Sequence, residues 1–317
     1  MNPLQKIGAF TAALAAAFGT AYGVGTAFGP VGQDTTAAGH TESHGPDPAE
    51  SPPAGDLLPA GLQVSQDGYS LDLETTALPA GRKSTLRFVV RDADGDPVTR
   101  YRTAHGKQLH LILASRELTT YRHLHPVRAA DGTWSTPVDL PDAGGYRVFA
   151  DFLPAGGSEG LTLGSDLTVT GPYRASEPPA PAATTTVDGY TVALEGTLAA
   201  GAESDLAFTV RRDGRPVTDL EPYLGAYGHL VALRAGDLAY LHVHPHEEAE
   251  GDRTSGPGVS FAATAPSAGT YRLFLDFKVD GTVRTAAFTV RAGTQAAPGT
   301  GTGTPEETPH EDTSHGH

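Results

Sequence analysis

The stretch "TTYRHLHP" at residues 119–126 sets His123 and His125 two apart, and "LAYLHVHP" at residues 238–245 does the same with His242 and His244. Side chains at i and i+2 of a strand leave the same face, so each pair would present two imidazoles together. A third histidine precedes each pair at equal spacing, His110 in one copy and His229 in the other. Gly236-Asp237 suits the centre of a two-residue type I′ or II′ hairpin turn. A hairpin centred there puts His229 opposite His244, and the same spacing puts His110 opposite His125. Directly opposed residues share a face, with Cβ atoms ~4.5–5.5 Å apart. Each copy would then gather three imidazoles, the arrangement a metal with ~2.0–2.1 Å bonds to nitrogen requires. The candidate metal ligands are His110, His123, His125, His229, His242 and His244. Parity decides the matter, because a loop one residue longer or shorter sends His110 and His229 to the other face.

A second chemistry competes. Tyr121 and Tyr240 fall on the same expected face, so the histidines would equally serve a buried His–His–Tyr hydrogen-bond network. His105, near the first site, and His246, followed by Glu247 and Glu248, would either add ligands or be solvated loop residues, the latter favoured for His105. Asp151 and Asp276 end the "YRVFAD" and "YRLFLD" stretches. They read as ion-pair partners of Arg147 and Arg272, four residues back on one strand face, in preference to a role at a metal.

These side chains need strands to hold them, and the chain supplies strand patterns throughout. "LRFVV", "LHLIL" and "YRVFADF" alternate with the two-residue period of half-buried strands. In the first copy strands are expected near 62–65, 69–75, 85–91, 108–114, 121–125, 133–139, 145–152 and 165–170. The chain also repeats itself. "QDGYSLDLETTALPAG" (66–81) parallels "VDGYTVALEGTLAAG" (187–201), and "PDAGGYRVFADF" (141–152) parallels "PSAGTYRLFLDF" (266–277). The fold class expected is all-β, two tandem immunoglobulin-like β-sandwich domains, at residues 61–171 and 182–292 with a proline-rich connection at 172–181. Each is expected to fold alone.

Around this core, Lys6 is followed by an uncharged stretch over residues 7–32, read with 1–32 as a signal peptide or membrane anchor that exports the rest of the chain. Residues 33–60 and 293–317, rich in Pro, Gly and acids, read as a disordered linker and a His/acidic tail. His40, His44, His310, His315 and His317 there would collect metal only loosely.

Among the 317 residues there is no cysteine, and Met1 is the only methionine. Disulfides, thiolate and thioether metal sites, iron–sulfur clusters and type 1 copper are thereby excluded. A net charge of −15 argues against nucleic acid as a partner. With no GxSxG, no HExxH and no phosphate-cradling glycine loop before a helix, an enzyme is not expected.

The hairpins "LHLILASRELTTYRHLHP" (109–126) and "GHLVALRAGDLAYLHVHP" (228–245), each followed by "YRVFADF" or "YRLFLDF", resemble exported bacterial Ig-like proteins, including YtkA-like and heavy-metal-binding domains. The resemblance implies export, a β-sandwich and a link to copper or heavy-metal handling. The expectation is therefore an extracytoplasmic divalent-metal binding protein for buffering or delivery, with copper favoured and zinc second, using a three-His cluster in each repeat. It would be secreted or tied to the membrane by its N-terminal segment. The alternative is a non-catalytic structural or protein-interaction module of the cell envelope, with another envelope protein as partner and packing histidines.

Overall fold

The computed structural model describes residues 59–157, 159–241 and 243–294, and these residues form strands, turns and loops with no helix. The expected export segment, most of the first linker and most of the tail lie outside the described residues, as does His242. No helix among the described residues is long and apolar enough to cross a membrane.

Each repeat is a sandwich of two sheets. In the first repeat one sheet runs Ser65–Gln66, Tyr69–Leu73, Ser84–Arg91, Trp134–Val138, Val127–Arg128, and the other runs Ala77–Pro79, Leu161–Thr170, Gly144–Pro154, Leu109–Ser115, Tyr121–Leu124. The second repeat copies this order. Its inner sheet runs Ala199–Ala200, Thr282–Thr294, Gly269–Val279, His229–Arg234, Tyr240–Leu241. The short strands at Ala77–Pro79, Tyr101–Arg102 and Val127–Arg128 go beyond the expected set, because two or three residues carry no period to read.

Each sandwich has its own core. Leu86, Phe88, Leu111, Tyr146 and Leu163 fill the first, and Phe208, Phe261, Tyr271, Phe277 and Phe288 fill the second. A third apolar cluster draws on both repeats: Ile112, Ala114, Leu118, Tyr121 and Phe149 from one, Val231, Leu233, Leu238 and Phe274 from the other. It revises the expectation of half-buried strands. All seven residues of Leu109–Ser115 are buried. Leu109, Leu111 and Leu113 face the sandwich core, while Ile112 and Ala114 face the other repeat. A strand covered on both sides reads as a near-continuous apolar run, which "LHLILA" is.

The seam is reciprocal. Tyr121 stacks on Phe274 with ring centroids 4.0 Å apart, and Tyr240 meets Phe149 at 5.8 Å. Tyr121 and Tyr240 hold equivalent places in the two repeats, as do Phe149 and Phe274, so each copy offers the other the same surface, as two-fold dimer interfaces do. The chain adds main-chain and polar ties. Tyr240 N donates to Ala60 O at 2.9 Å, and Arg272 Nε donates to Leu118 O at 3.2 Å. A side chain at Gly61 would strike the Phe149 ring at 2.4 Å, so this position, also at φ 74, needs glycine to pass under the seam.

Candidate metal centre at the seam

The first hairpin has the expected register, Leu111 opposite Leu124 and Ile112 opposite His123. The second does too, Ala232 opposite Leu241 and Leu233 opposite Tyr240. Both loops are longer than expected, being closed by Ser115 N to Thr120 O and Arg234 N to Ala239 O, each 2.9 Å. One residue is added at each end, so parity is kept. Leu118 and Leu238 take left-handed φ of 55 and 65, a costly conformation for leucine. Both are fully buried in the seam, which offsets the strain.

After the turn the two hairpins part. Tyr121–Leu124 stays beside Leu109–Ser115 and keeps His123 and His125 on the seam face. In the second repeat pairing with His229–Arg234 ends at Leu241, and Val243–Pro245 pairs with Gly258–Thr264 of the outer sheet, His244 opposite Ala262. His244 is therefore exposed and does not oppose His229. The two separate triads expected from spacing give way to one cluster. His110 and His123 of the first repeat meet His229 of the second, each offering a ring nitrogen within 4.8 Å of the others. His125 stands beside them, its ring 5.1 Å from His110 and 4.9 Å from His123.

Asp276 sits opposite His229 in the sheet and accepts from His123 Nδ1 at 2.8 Å and from Thr285 Oγ1 at 2.5 Å. Arg272 turns instead to Leu118 O and Thr289, and Arg147 to Asp166 and to backbone carbonyls of Gly61, Leu62 and Gly164. The expected Arg–Asp pairs do not form. His105, weighed both as an added ligand and as a solvated loop residue, is exposed and comes within 6.2 Å of the His110 ring and 6.0 Å of His229. The signal that could have placed it is "HG" (105–106), for both residues have positive φ and form a two-residue turn closed by Ala104 and Lys107. His246 pairs with Asp205 at 3.3 Å, away from the cluster.

Hydrogen-bond partners assign the tautomers. The Asp276 carboxylate only accepts, so His123 carries a proton on Nδ1. Ala104 O accepts from His110 Nε2 at 3.2 Å, which leaves a lone pair on His110 Nδ1. His123 Nε2 faces that nitrogen at 3.1 Å. His125 Nε2 is buried without a partner, a cost of about 1–3 kcal/mol.

Burial suppresses the charged form of His110, His125 and His229. It pushes His110 down to about 3, with His123 adding to the effect, and His125 to about 4. His229 is held well below the ordinary 6.5 by burial, then by His123 and His110. Folded values below the free value mean that the unfolded chain takes up protons the folded chain refuses. The stability is complete above about 6.5 and is lost as pH falls from there toward 3–4. For His110 alone the loss at pH 5 is about 2 kcal/mol. Urea unfolding in the presence of a chelator is expected to show that decline between pH 7.5 and 5. An unchanged midpoint would show that these rings are not buried neutral.

The family matched is described as Domain of unknown function (DUF8832), over residues 63–167 and again over 185–294. The chain belongs to this family. It carries two DUF8832 copies, and the histidine cluster draws on both. No curated protein matches the chain. Among solved structures the chain is similar to FdeC, an Escherichia coli adhesin, at 18% identity over 76% of this chain and 66% of that one, with a TM-score of 0.23. It is also similar to invasin, a bacterial integrin-binding protein, at 14% identity over 73% of this chain and 41% of that one, TM-score 0.22. Domains 4 and 5 of the S-layer protein SbsC match at 13% identity over 74% of this chain and all of theirs, TM-score 0.22. Scores at this level carry no argument about what the DUF8832 pair does.

Proposed function

We propose that the two DUF8832 repeats together form one divalent-metal site, held by His110, His123 and His229, in a non-catalytic extracytoplasmic protein that buffers or delivers the ion. The observation that carries this reading is the meeting of ring nitrogens of His110, His123 and His229 within 4.8 Å of one another, with His110 Nδ1 and His123 Nε2 3.1 Å apart. Tetrahedral ligands with ~2.0–2.1 Å bonds stand about 3.3 Å apart, close to that separation. The opposite ring nitrogens donate to Asp276 and Ala104 O, the carboxylate and carbonyl supports that orient metal-bound histidines. An imidazole set without sulfur suits Cu(II) first and Zn(II) next. The resemblance to heavy-metal-binding domains leans the same way, and Lys6 with the uncharged 7–32 stretch supports export.

A second reading rests on the seam itself. Its nine buried apolar residues give the two repeats reason to pack with no ion present. The pair would then be a rigid β-sandwich module of the cell envelope that engages another protein, and the histidines its packing.

Asp276→Asn separates the two readings. It keeps the shape and removes the charge that supports His123, so Cu(II) affinity of the full chain is expected to fall about 10–100-fold. Isothermal titration reads this directly. Equal affinity in both chains would favour the packing module.

A further inference from the structure

The proposed ligands are buried, His110 at 3% exposure and the His123 side chain at 2%, so a hydrated cation needs a way in. Two cavities reach the cluster. One, lined by His123, Tyr223 and Asp276 among others, meets His123 on the side of Nδ1, which Asp276 already holds. The other, about 220 Å³, has His110 and His229 in its wall. The same wall contains His105 from the first repeat and His244 from the second, both exposed. Lys107 and Asp151 also line it. An exposed imidazole from each repeat thus shares one cavity with a buried ligand from each repeat.

We infer that this cavity is the access port for a hydrated divalent cation, with His105 and His244 as transient ligands that strip its water and pass it inward to His110 and His229. The inference rests on the metal reading of the cluster. It gives a purpose to the exposed His105, whose turn is tied to the site through His110 Nε2 and Ala104 O. It also accounts for a histidine at 244 on a strand that has left the ligand sheet. Lys107 opposes a passing cation, and Asp151 offsets it.

Groups that act only in transit change association and dissociation together and leave the equilibrium alone. Stopped-flow mixing of the full chain with Cu(II) is expected to show association roughly tenfold slower in the His105→Ala, His244→Ala double variant, with dissociation to a chelator slowed equally and Kd unchanged. Lys107→Ala is expected to speed both steps. Unchanged rates in the double variant would overturn the port. So would a weakened Kd with unaltered association, which would make these histidines ligands. If the unaltered chain shows no tight site, the metal reading itself fails and the port falls with it. Circular dichroism melts of each variant separate a transport effect from a folding defect.

Discussion

One tight equivalent of Cu(II) per full chain is the expected result of a titration run against a weak chelator that masks isolated surface histidines. His110→Ala and His229→Ala should each lower that affinity by more than 100-fold, about 2.7 kcal/mol. The figure exceeds the 10–100-fold that losing an outer support costs, because a ligand itself is removed. Both variants matter, since His110 belongs to one repeat and His229 to the other, yet their nitrogens converge on one point. Two independent sites would instead give two equivalents, with each variant deleting one. Binding by the unaltered chain no tighter than by either variant would leave the histidines as packing. His244→Ala should retain the tight site, because His244 lies on the outer sheet and lines the cavity without joining the three converging nitrogens.

Phe274→Ala is expected to cost about 3–5 kcal/mol, the usual range for deleting a buried ring. Phe274 is 2% exposed and stacks on Tyr121 across the seam at 4.0 Å. A loss of that size lowers Tm by about 10 °C in a unit of this length. Because the ring joins two sandwiches with separate cores, the unaltered chain is expected to unfold in one transition and the variant in a broader or split one as the repeats uncouple. Differential scanning calorimetry shows both effects. A loss under about 1 kcal/mol with one sharp transition would mean that the seam contributes little, and the ion would then be the main tie between repeats. The seam also bears on the expectation that each repeat folds alone, for a lone repeat would expose Ile112, Ala114, Tyr121 and Phe149, or Val231, Leu233 and Phe274, to water.

The all-β class and the tandem repeat were legible in residue types and periods. So was the hairpin register, because Gly236-Asp237 marks the centre of the second turn and the equal histidine spacing carries that centre to the first copy. The register put His110, His123 and His125 on one face, where they are found. Sequence by itself also ruled out sulfur ligands, as an inventory of residues must. What it left open was which imidazoles meet. Periodicity shows that a face is apolar but not what covers it, so the run "LHLILA" reads as half-buried until the second repeat lies against it. The departure of Val243–Pro245 to the outer sheet took His244 from the place its spacing promised. The seam brought His229 and Asp276 to His123 instead. Both are long-range effects of packing between sheets. Local pattern determines which way a side chain points, and only the assembled tertiary fold decides what it points at.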